Sequence, residues 1–536
     1  MRKNLIQFSK QTAAEGARER KAFKVRFKQD RTSSGFRKIR PKNLLIGIVV
    51  AIAVAVAATI FVVETTNSAS PREISVSKEF TAKNVGMQMF GYNWNSLKNE
   101  CAESLGPAGV DWILVDPPSD HIVGTQWWIH YQPTNYDIIG DHGNRSEFKA
   151  MVAACKSAGV SVLADVVFNH MAGGSGDSFG GKPYGDNLTF GDLYTSQNFH
   201  EGLSANDEHF CDYDISNWDE PWERTNCRFP GLPDLATEQD WVRTKIADYL
   251  KDLQSLGVAG FRFDAAKHVD PLDIKAILGK LDKSPFVIQE VPGDSTIGAE
   301  YLPTGHIWAW QTATDLQSAF GSADSVEYEM VGMSDNWEAA NDPDLSITWV
   351  NNHDTERHGE SLSFADGDRY FLAQQFLLAQ PFGQPMLYSG FRFEDSDESA
   401  PQDADGKLFS AICGSDPLQF TCTNRRSDII GMIAFHKEVA GVAKTGENGA
   451  NGFYSMQRDG KGFFALNNND GKANQPKIAT GMEPGTYCNL ITAGLSATEG
   501  GNACSEDPIV IDADGNLVTK IDSLKSVAIL AKYKLG

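Results

Sequence analysis

The chain has 536 residues, is 41% hydrophobic and 10% aromatic, and carries a net charge of −22. That length exceeds one compact core, so two or three domains are expected. Residues 1–42 hold 14 Lys/Arg against 3 Asp/Glu, a net of +11, leaving −33 on the remainder; the acidic body argues against nucleic-acid binding.

The first element in chain order is an apolar run, Leu44 to Val63, of 20 residues without charge or proline. As a helix it would span about 30 Å, the hydrocarbon thickness of a bilayer. Its basic flank precedes it, which puts the N-terminus in the cytoplasm and the body outside. The expectation is a basic cytoplasmic segment (1–42), a transmembrane signal anchor (43–64) and a linker (65–84). The alternative is a cleaved signal peptide with a long basic leader, cut near Ser68-Ala-Ser70 before Pro71.

A helix–Gly–strand unit then recurs. Leu105-Gly-Pro-Ala-Gly109 leads into Val110–Val115, Ser157-Ala-Gly159 into Val160–Asp165, and Leu256-Gly257 into Val258–Phe263. Gly ends each helix, and the near-continuous apolar run that follows suits a parallel strand buried on both faces. Before the third unit, Val242, Ile246, Tyr249, Leu250 and Leu253 share one helical face, and Thr237 with Asp240 reads as a capping box with Asp in place of Glu. Helices alternating with buried strands predict βα repeats.

Four segments end such runs in chemistry. They are Asp165-Val-Val-Phe-Asn-His170, Gly260-Phe-Arg-Phe-Asp264 (continuing to His268), Val287-Ile-Gln-Glu290 and Trp349-Val-Asn-Asn-His-Asp354. A parallel β/α barrel collects strand C-termini on one face, where active sites sit. Three carboxylates there, Asp264, Glu290 and Asp354, suit glycoside chemistry. Between the first two segments, residues 171–233 are rich in Gly, Asp, Asn and Ser and too long for an idle loop. From about Gly441, short runs such as Gly462–Asn467 and Ser526–Lys532, split by turn residues, predict an antiparallel β domain.

These four segments, with Gly231-Leu-Pro-Asp-Leu235 as a fifth, resemble in order and spacing the conserved regions of glycoside hydrolase family 13, the α-amylase family. The resemblance runs from about Val85 to the C-terminus and is nearest to animal-type and actinobacterial α-amylases. It implies an α/β fold: a (β/α)8 TIM barrel (85–170 and 234–440), an inserted irregular domain B (171–233) and a C-terminal antiparallel β domain (441–536). It implies Asp264 as nucleophile, Glu290 as acid/base and Asp354 as the third carboxylate. Sugar contacts fall to Trp127, Trp128, Tyr131, Gln132, His170, Arg262, Lys267, His268 and His353. Arg262, two residues before Asp264 on one strand, points to the same face and would keep it ionised.

The resemblance also implies a calcium ion, held by the side chains of Asn169 and Asp234 and the carbonyls of Thr225 and His268. Arg262 and Asn352 match two groups of the chloride site of animal amylases, but the third position is Met386, which argues against chloride. All eight cysteines follow the apolar run, and an even number in an exported chain suggests disulfides. The resemblance implies Cys101–Cys155, Cys211–Cys227, Cys413–Cys422 and Cys488–Cys504. The reading is therefore an extracellular or surface-anchored, monomeric, calcium-dependent retaining hydrolase of internal α-1,4-glucosidic bonds in starch and glycogen. The alternatives are another family 13 enzyme (debranching enzyme, glucosidase or transglycosylase) or an inactive amylase-like membrane ectodomain.

Overall fold

Eight strands close into a parallel barrel: β1 (Gly86–Met89), β2 (Trp112–Val115), β3 (Ser161–Val166), β4 (Gly260–Phe263), β5 (Phe286–Gln289), β6 (His306–Trp308), β7 (Ser346–Thr348) and β8 (Gln384–Ser389). Each pairs with its sequence neighbours, and β1 closes on β8. The computed structural model describes residues 81–535 apart from 82, 201–213, 294, 323–329, 451, 474–476, 495–503 and 505–506. The basic segment, the run Leu44–Val63 and Cys211 lie outside the described residues. Among the described residues no helix is long and apolar enough to cross a membrane.

The glycine punctuation works as expected. Gly159 (φ +80°) and Gly257 (φ +104°) each stop a helix in the left-handed region, where a Cβ would be strained. The helix Asp240–Ser255 buries the five residues assigned to its inner face. The Thr237–Asp240 capping box does not form. The cap residue is Gln239, without a side-chain cap, and the Thr237 hydroxyl donates instead to Asp273 Oδ2 at 2.9 Å. Asp273 belongs to the next barrel helix, Pro271–Leu278, and is also paired with Arg243. A buried tertiary carboxylate outcompetes a local cap. The helix Arg145–Ser157 does carry a capping box, Asn144 with Glu147.

The barrel interior is layered. Trp112, Leu114, Leu163, Phe286, Ile288, Trp308, Ile347, Trp349 and Met386 form one apolar cluster. The register sets Arg262 of β4 opposite Asp165 of β3, so a charged layer faces the strand C-termini. Gly260 opens β4 because a Cβ there would lie 2.4 Å from the Phe286 carbonyl oxygen.

Between β3 and β4 the chain makes the expected irregular excursion, with a two-stranded ribbon (Gly176–Asp177 with Pro183–Tyr184) and a short helix, Pro221–Asn226. After the barrel, Thr445–Ala450, Phe453–Arg458, Gly462–Asn467 and Lys525–Leu530 form an antiparallel sheet, with a five-stranded sheet beside it in the chain. Cys101–Cys155, Cys413–Cys422 and Cys488–Cys504 are bonded. Cys227 is also disulfide-bonded.

Candidate active site

Asp264 directly follows β4, Glu290 directly follows β5, and Asp354 lies six residues beyond β7. Arg262 ties the first two together from below. Its Nη1 donates to Asp264 Oδ1 at 2.6 Å and to both oxygens of Asp165 at 2.9 Å, while Nη2 lies 2.8 Å from Glu290 Oε2. The guanidinium sits over the Trp308 ring, 4.8 Å from its centroid. Arg262 is 0% exposed, whereas the side chains of Asp264, Glu290 and Asp354 keep 11%, 16% and 33% of their surface. The carboxylates remain reachable from the cleft and their counter-charge does not.

Ala265 has φ +47°, a conformation that costs a non-glycine residue on the order of 1 kcal/mol. The turn aims its N–H at Glu290 Oε2, 2.7 Å away. Glu290 Oε2 therefore takes the Ala265 N–H and faces the Arg262 charge, and Oε1 is the oxygen left to carry a proton.

One buried guanidinium serves several carboxylates. Burial raises Glu290 above the ordinary carboxylate range, against Arg262 and reinforced by Asp264. Burial raises Asp354 well above it, reinforced by Glu290. Burial also raises Asp264, with Arg262 opposing through charge and hydrogen bond. The expectation that Arg262 favours ionised Asp264 holds in direction, but burial is the larger effect.

The aromatic wall stands on the turn Trp127–Tyr131. Tyr131 stacks on His353 at 5.0 Å, and Trp127 meets both rings edge-on. Trp127 is buried and its Nε1 donates to Ser396 O at 2.8 Å; Trp128 is half-buried. His353 Nδ1 accepts from Gln88 Nε2 at 2.8 Å, leaving Nε2 3.3 Å from Asp354 Oδ2. Burial and nearby Arg262 hold His353 well below the usual histidine range, so a neutral ring presents Nε2–H to the cleft. His170 Nε2 donates to Tyr131 O at 2.9 Å, fixing the turn from below. Gln132 Oε1 accepts from Gly173 N, and Lys267 N donates to Glu290 O at 3.1 Å.

Two expected residues lie where the inserted segment meets the barrel. The His268 ring is buried against Trp218 and Phe229 of the excursion, with Nδ1 donating to Arg224 O at 3.0 Å. It faces the inserted segment, where those aromatic rings bury it. That carbonyl belongs to Arg224, one residue before the expected Thr225, whose hydroxyl donates to Pro221 O.

Oxygen atoms converge nearby. Asn169 Nδ2 lies 3.0 Å from Asp234 Oδ1 and 2.9 Å from His268 O, while Asn169 Oδ1 faces His170 Nδ1 at 3.1 Å. Since His170 Nε2 carries the proton given to Tyr131 O, a neutral ring has a bare Nδ1 that needs a donor. Rotating the Asn169 amide, whose two ends are nearly isosteric, supplies that donor. It also turns three oxygens toward one point, which a hard cation reconciles. His200 holds the other Asp234 oxygen at 2.6 Å.

Asp165 carries no role in the sequence reading, yet it shares Arg262 and accepts from Tyr131 OH at 3.0 Å. Its place at the start of the first conserved segment was the available signal. Met386 is buried in the apolar cluster, and Asn352 Oδ1 is spent on the backbone of Asp354 and Thr355.

Comparison with known proteins gives a consistent set of likenesses. Residues 110–295 match the family model described as alpha amylase, catalytic domain, and 445–532 match the alpha amylase C-terminal all-beta domain. An α-amylase of Streptomyces violaceus is 34% identical over 83% of this chain and 74% of its own length. Pancreatic α-amylase 2a5 of Mus musculus is 32% identical over 80% of this chain and 94% of its own. Among solved structures, α-amylase I of Eisenia fetida, as a mutant in complex with maltohexaose, superimposes with a TM-score of 0.76 at 26% identity, covering 84% of this chain and 98% of that one.

Proposed function

The chain belongs to the α-amylase family, and from that premise we propose that it hydrolyses internal α-1,4-glucosidic bonds of starch, glycogen and maltooligosaccharides with retention of configuration. The observation that carries this reading is the single buried guanidinium of Arg262 shared by Asp264 and Glu290 at the mouth of the barrel.

Retention needs two carboxyl groups about 5–5.5 Å apart. Asp264, in direct contact with Arg262, attacks the anomeric carbon as a carboxylate. Glu290 donates the proton on Oε1 to the departing glycosidic oxygen, and the bond to that oxygen breaks as the Asp264 ester forms. Glu290 then takes a proton from water, which attacks the ester and restores Asp264. Asp354 and the Nε2–H of His353 engage sugar hydroxyls, and Tyr131 and the tryptophans stack on pyranose faces. Gln132, His170 and Lys267 line the same cleft, and His268 contributes through its carbonyl and its packing. Asn169, Asp234 and the His268 carbonyl would hold calcium, with Arg224 or Thr225 supplying a further carbonyl. Bound there, the ion would fix the inserted segment to the barrel.

The run Leu44–Val63 supports an exported body, anchored with the N-terminus inside or released after cleavage.

The test is incubation of the purified protein with soluble starch while products and anomeric configuration are followed. Rapid loss of iodine colour with release of α-configured oligosaccharides is expected. Initial β-anomers, or glucose released only from chain ends, would overturn the assignment. No turnover at all would favour the inactive ectodomain.

A further inference from the structure

Behind the aromatic turn lies a second buried cluster that hydrolysis does not use. His121 ends the strand Asp120–His121, His130 lies within the turn Trp127–Tyr131, and Asp141 and His142 form the tip of the hairpin Ile139–Asn144. All four are buried. His130 Nε2 is 2.7 Å from Asp141 Oδ2, and His121 Nε2 is 3.4 Å from Asp141 Oδ1. One potential ligand atom from each of His121, His130 and Asp141 lies within 4.8 Å of the others.

The orientation of His121 is the informative detail. Its Nδ1 lies 2.8 Å from Ile122 O, so that nitrogen carries the proton. In the neutral ring Nε2 is then a bare lone pair, and it faces a carboxylate oxygen. Among the described residues its one hydrogen-bond donor is the N–H of Asp141, at 3.3 Å. A ring N–H locked on a backbone carbonyl, with the other nitrogen turned inward, is how metal-ligating histidines are held. Asp141 has the matching support. His142 lies between Asp141 Oδ1 and Asp116 Oδ2, at 2.7 Å from each, and Asp116 also accepts from Gly91 N at 2.7 Å. A Cβ at Gly140 would come within 2.8 Å of His121 Nε2, so the hairpin backbone closes directly over the cluster.

We propose that His121, His130 and Asp141 bind a divalent transition-metal ion of the zinc type, with His142 and Asp116 orienting the carboxylate. Two imidazole nitrogens and one carboxylate oxygen are a borderline donor set, suited to zinc or cobalt and poorly suited to calcium, which takes oxygen. The ion would fasten the strand at residue 121, the hairpin at 141 and the turn that carries Trp127, Trp128 and Tyr131. It would be a structural site beneath the sugar-binding wall, separate from the oxygen cluster at Asn169 and Asp234.

The test uses the full-length protein, stripped with a chelator and returned to millimolar calcium. Zinc binding is measured by equilibrium dialysis, and cobalt(II) binding by its visible d–d absorption. One ion per chain, retained against excess calcium, is expected. His121→Asn and His130→Ser should each weaken binding at least tenfold, with near-ultraviolet circular dichroism confirming the fold. Wild-type protein that takes up no stoichiometric zinc or cobalt would overturn the proposal without reference to any variant. Undiminished binding by both variants would overturn it equally.

Discussion

Arg262 is the residue on which the site turns. It faces Asp165, Asp264 and Glu290, with Asp354 close enough to share their field. One positive charge cannot neutralise four carboxylates, so protons stay in the cluster, as an acid/base needs. Asp264→Asn and Glu290→Gln should each cut starch hydrolysis on the order of 10⁴-fold or more while the protein stays folded. A variant keeping a tenth of wild-type turnover would remove the role given to that residue. A second buried carboxylate offers a separate pH test. Glu356 accepts from Tyr388 OH at 2.6 Å, and burial, opposed by Arg357, pushes it from 4.5 up to about 7. A carboxyl raised on folding stabilises most below its unfolded value. That contribution is complete below 4.5 and is lost as pH rises through about 7. Glu356→Gln should therefore lose less Tm than wild type between pH 5 and pH 8. Superimposable curves of Tm against pH would show that Glu356 does not titrate with folding.

At the scale of elements, the two ends of the inserted segment are drawn together where it leaves and rejoins the barrel. His170 pairs with Asp234 in a backbone bridge, and Asn169 and His268 meet across the same seam. Removing calcium with a calcium-selective chelator should lower Tm and activity, since a ligand that binds only the folded state stabilises it. Asp234→Ala should reproduce both losses. Full activity and unchanged Tm in protein shown to lack calcium would remove that site. Cys101 and Cys155 join two neighbouring helical segments across a sequence separation of 54. A loop of that length is worth roughly 4 kcal/mol in the chain-entropy model. Replacing both cysteines with serine should lower unfolding stability by several kcal/mol in urea; a change under about 1 kcal/mol would mean the helices dock without it.

Across the whole molecule, the terminal β domain is tied to the barrel through buried polar groups. Arg458, on the strand Phe453–Arg458, donates to the carbonyls of Ala379, Val439 and Val442. Arg369 reaches Asn468 in the same way. The N-terminal charge asymmetry makes the remaining prediction. Fractionation of the native host should find the active species in the membrane, with its body outside. Activity mainly in the medium, with a mature start shortly after Ser70, would mean the apolar run is a cleaved signal. The catalytic assignments would stand in either case, because they rest on residues beyond Val85.

Four of the eight barrel strands, β2, β3, β4 and β5, and the carboxylates that follow β4 and β5 were legible in the amino-acid sequence alone, whereas the run Trp349–Asp354 begins just after β7 instead of forming it. Buried parallel strands are continuous apolar runs, and a residue just past such a run must emerge at the barrel mouth. Asp264 and Glu290 could be named on that ground; Asp354, six residues beyond β7, was named from its segment's resemblance to the family. Periodicity reports which face is buried, not what lies across from it. The tertiary structure alone decided that Thr237 serves Asp273 instead of its own helix, that the His268 ring turns toward Arg224, and that Asp165 shares Arg262. It also brought His121, His130, Asp141 and His142 together, from positions where each looks like an ordinary polar residue in a connecting segment. In all these cases a buried donor or charge takes the strongest partner within reach, and folding sets that reach.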